Sequence, residues 1–419
     1  MFSSALGRGG DTRVTRVLDP EVPSDEPDRG FATRAIHDAC APPVDQQPAS
    51  VPLYQTATWR FDTTQQFADV ISGRSAGYVY GRGYGNPTVE AFENVMASLE
   101  QTEAAFAFVA GTAAIYAVVT MLASTGQRVV ASRNLYGGTV ALFQRILPKM
   151  GIEVQFVEVE DPDAVRAALD GAALFYVETI SNPNVAVADL PSLAAWCAEA
   201  GVPTVIDNTF ASPYLCNPSE LGFDFVIHSA TKYLGGHSDL VGGVVCCSTE
   251  DRARLRSHSL DVGGAMQPFE AWLCLRGLAT LELRMERHCS TAAALAEFLG
   301  AHPSVRTLHY PGTEGDPYYE RARSLLRLPG GMIAFEHAGG YSSGAALCDA
   351  LGVAWIGASL GGAHTLVAHP ASTTHRQLDP ASREAAGITA GLIRISVGLE
   401  SPEDLIRDFA GALEAPSEV

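Results

Sequence analysis

Short apolar runs and amphipathic helical segments follow one another in regular alternation between residues 104 and 232. Strand-like runs occupy residues 104–110, 128–131, 153–159, 172–177, 203–206 and 223–227, and helical patterns at 113–122, 162–169 and 191–200 separate several of them. Such alternation predicts β-α-β units and therefore a mostly parallel, doubly wound sheet covered by helices. In open α/β sheets, ligands bind at the carboxyl ends of the strands.

Polar or small residues stand where these strands end, and we expect them to share one edge of the sheet. They are Gly111, Glu178, Asn182, Asp207 and Lys232. A binding site is therefore predicted along this edge.

Lys232 is the residue that carries chemistry in this prediction. Ser229 and Thr231 lead into it from a buried strand, and glycines follow directly, so the backbone can turn away and leave the amine free. A lysine held at a strand end and half desolvated can form an imine with an aldehyde. The alternative is a solvated surface lysine, which is what most lysines of an acidic protein are.

Asp207 ends another buried strand and is a second candidate functional residue beside Lys232. A carboxylate buried there needs a cationic or donor group, and the protonated pyridine nitrogen of pyridoxal phosphate (PLP) is such a group. The alternative is that Asp207 caps a helix starting near Ala211. Asp207 and Lys232 together favour a PLP site.

Two further features suit a flat, phosphate-bearing ligand. Gly111 and Thr112 form a turn before a small-residue helix, whose free backbone N–H groups favour an anion such as phosphate. The spacing differs from that of a nucleotide P-loop. Gly137 and Gly138 beside Tyr136 let its ring approach a ligand face-on, although a tyrosine packed in a turn remains the alternative.

The second half of the chain predicts a smaller α/β domain. One long amphipathic helix is expected over residues 269–299, followed by short strands at 305–310, 331–336, 351–358 and 393–397. Arg394 in the last strand is flanked by apolar residues, so its burial is costly unless it faces a carboxylate, which its planar fork would bind bidentately. That carboxylate belongs either to a substrate or to a protein Asp or Glu.

Four segments are therefore expected. Residues 1–30 form a disordered extension, 31–85 an irregular arm that contacts a neighbouring subunit, 86–285 the PLP-binding large domain and 286–419 the C-terminal small domain. Thr88 is expected to cap the first helix of the large domain. Arg82, just before it, either reaches an anion or is a solvated loop arginine.

Composition excludes several classes of function. A net charge of −19 argues against a nucleic-acid or anionic-membrane partner, because either needs a clustered basic surface. No apolar run reaches the length of a signal peptide or a membrane span. The eight cysteines show no C-x-x-C spacing, so we expect reduced core residues, no metal site and a cytoplasmic location.

Taken together, these motifs resemble the trans-sulfuration (Cys/Met metabolism) family of PLP-dependent enzymes. The residues that carry the resemblance are Tyr136-Gly-Gly-Thr139, Glu178 to Pro183, Asp207-Asn-Thr209, Ser229-Ala-Thr-Lys232 and Arg394. It covers nearly everything from Phe31 onward. It implies the fold type I, aminotransferase-like α/β architecture, a homotetramer with active sites shared between subunits, and a small amino-acid substrate.

The resemblance also implies a role for each matching position. Lys232 would be the Schiff-base lysine and, with Tyr136, catalytic; Asp207 would face the pyridine nitrogen. The other implied cofactor contacts are Gly111, Thr112, Ser229 and Thr231 at the phosphate, Glu178 and Asn182 near the ring hydroxyl, Thr209 at the ring edge, and Tyr80 and Arg82 from the neighbouring subunit. Ser359 and Arg394 would bind the substrate carboxylate.

This chain departs from the family pattern at four places. An extra residue separates Arg82 from Asn86, and a glycine bulge would have to absorb it. Gly138 stands where methionine γ-lyases carry cysteine, Ala358 where a glutamate often binds the far end of cystathionine, and His364 where an acidic residue is common.

The implied activity is γ-replacement or γ-elimination on homoserine esters or sulfur amino acids. Open alternatives are β-elimination from cystathionine or cysteine, γ-substitution with a non-thiol nucleophile, an aminotransferase, and a non-catalytic PLP-binding protein.

Overall fold

The computed structural model describes residues 29–38, 48–373 and 387–414. The expected N-terminal extension lies outside the described residues except for its last two positions. Two β-sheets organise the described part, one of seven strands and one of five. This is the large, mostly parallel sheet with a smaller second sheet that the sequence predicted.

The seven-stranded sheet lies in the first part of the chain. Its strands are β1 (Ala104–Phe108), β2 (Arg128–Ser132), β3 (Glu153–Val157), β4 (Leu174–Glu178), β5 (Thr204–Asp207), β6 (Phe225–His228) and β7 (Gly243–Cys247). Their order is β1-β7-β6-β5-β4-β2-β3. Strand β7 runs antiparallel to both of its neighbours. No helix lies between β6 and β7, so the chain returns beside β6 in the opposite direction.

Helices cover both faces of this sheet. The α-helices described up to residue 300 are α1 (Phe31–His37), α2 (Thr64–Ile71), α3 (Pro87–Glu100), α4 (Gly111–Leu122), α5 (Gly137–Arg145), α6 (Pro162–Leu169), α7 (Leu190–Ala200), α8 (Ser212–Leu215), α9 (Thr249–Val262), α10 (Pro268–Leu278) and α11 (Leu281–Gly300). Of these, α2 buries none of its residues. Side chains alternate between two apolar clusters along the strands: Val130 packs in one, and Val129 and Ala131 in the other. Among the described helices, none is both long and apolar enough to cross a membrane.

The five-stranded sheet follows in the second part. Its strands are β8 (Val305–His309), β9 (Met332–His337), β10 (Trp355–Ile356), β11 (Leu366–Ala368) and β12 (Leu392–Ser396), in the order β10-β11-β12-β9-β8. The remaining helices are α12 (Tyr319–Leu325), α13 (Gly340–Ala350) and α14 (Pro402–Glu414). The strand predicted over 351–358 is only two residues long, and β11 was not predicted.

Three expectations about local structure were wrong. The segment 31–85 is not wholly irregular, because α1 and α2 lie in it. Thr88 is not the helix cap: the Asn86 side chain accepts a hydrogen bond from Thr88 N at 2.9 Å, and Pro87 occupies the first turn. The hydroxyl of Thr88 instead donates to Pro52 O at 2.9 Å.

The third correction concerns the helix expected over 269–299, which is two helices, α10 and α11. The carbonyl of Gly277 accepts hydrogen bonds from Thr280 N at 3.2 Å and from the Arg284 side chain at 2.7 Å. This carbonyl is thereby removed from the regular helical ladder, and α10 ends one residue later. A Cβ at position 277 would also overlap the carbonyls of Leu234 and Gly235, so the loop that follows Lys232 packs directly against this break.

Candidate active site

A cavity of 570 Å³ opens at the carboxyl edge of the seven-stranded sheet. It brings together every predicted site residue except Tyr80 and Arg82. Those lining it are Gly111, Thr112, Tyr136, Glu178, Asn182, Asp207, Thr209, Ser229, Thr231, Lys232, Ser359 and Arg394. Strands from both sheets contribute, since Arg394 belongs to β12 and Glu178 and Asp207 to β4 and β5. The predicted clustering of polar strand ends is therefore observed.

The Lys232 amine is half buried and points into the cavity. Its Nζ donates a hydrogen bond to Ser359 Oγ at 2.7 Å. Burial lowers the pKa of Lys232 to about 8, and the positive charge of Arg394 acts in the same direction. A minor share of this amine is therefore unprotonated at neutral pH, far more than for an ordinary lysine, and this share can act as a nucleophile or base.

Arg394 is buried without a carboxylate partner among the described residues. Its Nη1 donates to Asn182 Oδ1 and its Nη2 to Ser359 O, both at 3.1 Å. Its Nε is buried and makes no hydrogen bond. The alternative of a salt bridge within the protein is thus not what the described residues form. Burial lowers the pKa of Arg394 to about 10, so an anionic ligand would compensate for the desolvation of this cation.

Asp207 and Glu178 form an acidic pair on neighbouring strands. They are in register across β4 and β5, so their side chains leave the same face of the sheet. Burial raises the pKa of both carboxyls, for Glu178 well above its usual range, and the charge of Asp207 raises the pKa of Glu178 further. Asp207 Oδ1 accepts from Thr209 N at 2.9 Å, and none of the described lysines or arginines pairs with it. A cationic ring nitrogen would satisfy this carboxylate.

The start of α4 forms the anion-binding end of the cavity. Its cap residue, Ala110, provides no side-chain hydrogen bond, so the first N–H groups of the helix are not capped. A Cβ at Gly111 would lie 3.0 Å from Ser229 Cβ, which shows how closely the helix start approaches β6. Thr209 Oγ1 accepts a hydrogen bond from Ser229 N at 2.8 Å, which links the segments that follow β5 and β6. Uncapped N–H groups beside hydroxyl side chains suit a phosphate.

Tyr136 lies at the cavity wall, immediately before α5. Its backbone N donates to Glu178 Oε1 at 2.7 Å, and its ring is half exposed. A Cβ at position 138 would overlap the Tyr136 ring, so the glycine found there makes room for it. Tyr136 therefore faces the cavity with space to move over a flat ligand.

Tyr80 and Arg82 lie away from the cavity of this single chain. Arg82 donates a hydrogen bond to Leu260 O, and Tyr80 is an exposed residue paired with Thr58 in a short bridge. Gly83 and Gly85 have φ angles of +80° and +90°, which is the left-handed backbone that glycine allows. These angles are compatible with the expected glycine bulge, while the role of Tyr80 and Arg82 stays a prediction.

Sequence reasoning did not identify several cavity-lining side chains. They are Ile115, Ala141, Arg145, Ile180, Phe210, Val241 and Leu360. Ala141 and Arg145 are four residues apart, one turn along α5, and this spacing from Gly137 was the signal that could have revealed them. His364, which had no expected role, stacks on Trp355 at a ring-centroid distance of 4.0 Å outside the cavity.

The cavity's chemistry matches one kind of ligand. It offers a reactive amine for an aldehyde and uncapped N–H groups for a phosphate. It also offers a carboxylate for a ring nitrogen and an arginine for a substrate carboxylate, neither of which has an ion-pair partner of opposite charge on a lysine, arginine, aspartate or glutamate of the described residues. The residues present therefore fit PLP, and the fold and site together define a PLP-dependent enzyme acting on an amino acid.

Comparison with known proteins identifies the family. A model of the Cys/Met metabolism PLP-dependent enzymes matches residues 32–414. The chain is 42% identical to the L-methionine gamma-lyase of Pseudomonas putida over 389 residues, covering 92% of this chain and 98% of that protein. It is 36% identical to the O-acetyl-L-homoserine sulfhydrylase of Leptospira meyeri over 426 residues, covering 91% and 96%.

Solved structures agree with this result. The cystathionine gamma synthase of Xanthomonas oryzae pv. oryzae, solved with aminoacrylate and cysteine, matches with a TM-score of 0.87 and 34% identity, covering 92% of this chain and 98% of that one. The chain belongs to the Cys/Met metabolism family of PLP-dependent enzymes. Its fold is the fold type I architecture, its cofactor is PLP, and its chemistry is of the trans-sulfuration type.

Proposed function

We propose that this enzyme catalyses γ-elimination or γ-replacement on a sulfur amino acid or a homoserine ester. The observation that carries the proposal is the junction at Ser359, whose hydroxyl accepts from Lys232 Nζ at 2.7 Å while its carbonyl accepts from Arg394 at 3.1 Å. A proton-transfer group and a carboxylate anchor therefore meet at one residue. An amino acid held by its carboxylate at Arg394 would present its Cα to Lys232.

PLP, when bound, supplies an electron-accepting ring that stabilises negative charge next to the reacting carbon. Lys232 then removes the proton at Cα and a proton at Cβ, for which its lowered pKa suits it. Asp207 would keep the ring nitrogen protonated, and Glu178 and Asn182 would lie near the ring hydroxyl. Gly111, Thr112, Ser229 and Thr231 would hold the phosphate.

Tyr136 is proposed to protonate the leaving group at Cγ. Its ring lies on the cavity wall. A phenol placed there carries a proton that it can donate to a departing thiolate or carboxylate as a general acid. The glycine at position 138 leaves the ring free to approach Cγ.

The product of the reaction decides between elimination and replacement. Purified enzyme with PLP is given L-methionine, cystathionine, O-acetylhomoserine or O-succinylhomoserine, with and without a thiol, and products are identified by mass spectrometry. A new thioether formed in preference to 2-oxobutyrate identifies a γ-replacement enzyme, and 2-oxobutyrate regardless of thiol identifies a γ-lyase. Pyruvate alone identifies β-elimination and contradicts the proposal, as would undiminished turnover by a Lys232→Ala control.

We further propose how this chain is assembled and where it works. The family resemblance supports a homotetramer in which Tyr80 and Arg82 of one subunit reach the phosphate in the next, and their distance from the cavity of their own chain is compatible with this. The two sheets support a large domain over 86–285 and a small domain over 286–419, with 31–85 as an arm. The acidic composition and the buried cysteines suit a cytoplasmic enzyme. Size-exclusion chromatography with light scattering tests the tetramer.

A further inference from the structure

Glu100, the last residue of α3, is a carboxylate with no exposure to solvent. Its Oε1 accepts hydrogen bonds from His228 Nε2 at 2.5 Å and from Asn208 Nδ2 at 3.0 Å. Its Oε2 accepts from Asn217 Nδ2 at 3.3 Å. A buried carboxylate that is hydrogen-bonded to three side chains is a well-satisfied polar group in an otherwise apolar layer.

The groups bound by Glu100 are the ends of the strands that carry the active site. Asn208 directly follows Asp207 at the end of β5, and His228 is the last residue of β6, directly before Ser229. Asn208 Oδ1 also accepts from Thr179 Oγ1 at 2.7 Å, and Thr179 directly follows Glu178 at the end of β4. One carboxylate thus links three neighbouring strand ends.

This network lies on the face of the sheet opposite the cavity. Asp207 is in register with Ile227, and successive side chains of a strand point to opposite faces, so Asn208 and His228 point away from Asp207. None of the three groups linked to Glu100 lines the cavity. Their effect on the cofactor site must therefore pass through the position of the backbone.

His228 is the imidazole partner of the buried Glu100. Its Nε2 lies 2.5 Å from Glu100 Oε1, and among the described residues it is the bonded group that can carry a charge opposite to that of a carboxylate. Its Nδ1 is buried and makes no hydrogen bond. The contact with Glu100 is therefore the side-chain hydrogen bond that fixes His228 at the end of β6.

We propose that Glu100 and His228 are positioning residues of the cofactor site, which hold the three strand ends, and Asp207 with them, in place from behind the sheet. This rests on the proposed pairing of Asp207 with the PLP ring nitrogen. Loss of either member should weaken PLP binding without removing any group that touches the cofactor.

The test measures the dissociation constant of PLP by titrating apo-protein and following cofactor absorbance. Glu100→Gln keeps the shape and one acceptor but removes the carboxylate, and His228→Gln keeps a donor but removes the imidazole. We expect each single variant to raise the constant about tenfold, because the buried contact between the two side chains is lost and the strand ends that it holds can shift. Since the two residues act as one unit, the double variant should show no further rise.

Glu93→Gln is the matched control. Glu93 lies on the same helix, is 6% exposed, and accepts from Ala107 N at 2.8 Å and Arg252 Nη2 at 2.9 Å, away from the three strand ends. Its substitution should lower thermal stability while leaving PLP affinity and the absorbance maximum of bound PLP unchanged. An equal loss of affinity in Glu93→Gln would show a general effect of destabilisation and overturn the proposal.

Two further outcomes separate this inference from the assignment on which it rests. If Asp207→Asn raises the dissociation constant and folded Glu100→Gln and His228→Gln do not, the positioning role is wrong and the cofactor assignment stands. If Asp207→Asn itself binds PLP as tightly as the unmodified protein, the assignment of Asp207 fails and the positioning role fails with it. Should Glu100→Gln not fold, His228→Gln decides alone.

Discussion

Replacing Arg394 with methionine should separate substrate binding from cofactor binding. Arg394 is 7% exposed and donates to Asn182 Oδ1 and to Ser359 O at 3.1 Å each, but no carboxylate among the described residues balances it. A substrate carboxylate would supply that counter-charge. Methionine has a comparable length and no charge, so Arg394→Met removes the anchor without burying a new unpaired cation.

The size of the effect follows from the two hydrogen bonds that a guanidinium fork can give to a carboxylate. Each charge-assisted bond contributes about 1.5–3 kcal/mol, so losing both should raise the barrier from free enzyme and substrate by about 3–6 kcal/mol. This corresponds to a fall in kcat/KM of about 10²- to 10⁴-fold. Arg394→Lys keeps the charge but not the fork, so we expect a smaller loss of about 10- to 100-fold.

A second signature concerns Lys232. Burial and then the charge of Arg394 lower the pKa of this amine, to about 8. Removing that charge must raise the pKa, so a higher pH is needed to free the amine. The rate at which apo-protein incorporates PLP should therefore have its acid-side midpoint near pH 8 in the unmodified protein, higher in Arg394→Met and little changed in Arg394→Lys.

Steady-state kinetics with L-methionine and O-acetylhomoserine give the first result, and stopped-flow absorbance after PLP addition gives the second. Thermal unfolding and cofactor content confirm that each variant is folded and loaded. If Arg394→Met, folded and loaded, keeps kcat/KM within tenfold of the unmodified enzyme, Arg394 is not the carboxylate anchor. An unmoved midpoint would contradict the charge coupling between Arg394 and Lys232.

Three other substitutions give sharp expectations. Lys232→Ala should lose covalent PLP after borohydride reduction, as seen by intact mass, and lower kcat by at least about 10³-fold, since it removes a general base. Gly138→Ala adds a Cβ that overlaps the Tyr136 ring, so kcat should fall about tenfold with little change in KM, measured with L-methionine. Arg145→Gln removes an exposed cation from the cavity wall, so KM should rise about fivefold for O-succinylhomoserine, which has a distal carboxylate, and stay constant for L-methionine.

The large sheet was predictable because each of its signals is local. Apolar runs of strand length mark β1 to β6. The helix predicted over 162–169 is observed with the same bounds, as α6 (Pro162–Leu169), and proline occupies its first position. The parallel arrangement then follows from the alternation itself. The reversed direction of β7 did not follow, because it depends on a connection that contains no helix and so carries no periodic pattern.

Local signals failed where a distant group takes over a backbone hydrogen bond. Thr88 has the chemistry of a helix cap, but its hydroxyl bonds to Pro52 in the preceding segment, and Asn86 caps the helix instead. The break between α10 and α11 has the same origin, since the Arg284 side chain, in the first turn of α11, binds the Gly277 carbonyl. Neither competition can be deduced from sequence spacing.

The site residues likewise fall into those predictable from local signals and those that depend on distant contacts. Glu178 and Asp207 leave the sheet from paired positions of adjacent strands, so their meeting follows from strand direction alone. Glu100 contacts the same strand ends from α3, although it lies 128 positions before His228 in the sequence. The residues around Glu100 in the sequence do not indicate that contact. Sequence therefore revealed the groups proposed to touch the cofactor and missed those proposed to hold them in place.

This difference between strand-end residues and other residues explains why the type of reaction is better determined than the identity of the substrate. The groups proposed for proton transfer and cofactor binding are strand ends or residues directly after them, whose positions the sheet dictates. The groups that would distinguish one leaving group or nucleophile from another lie on a helix face, as Arg145 does, or in loops, as Ala358 does. Such positions vary without disturbing the sheet, because their side chains line open cavity rather than packed core. Exchanging Arg145 or Ala358 should therefore change substrate preference while leaving PLP affinity intact, whereas exchanging Glu100 should do the reverse.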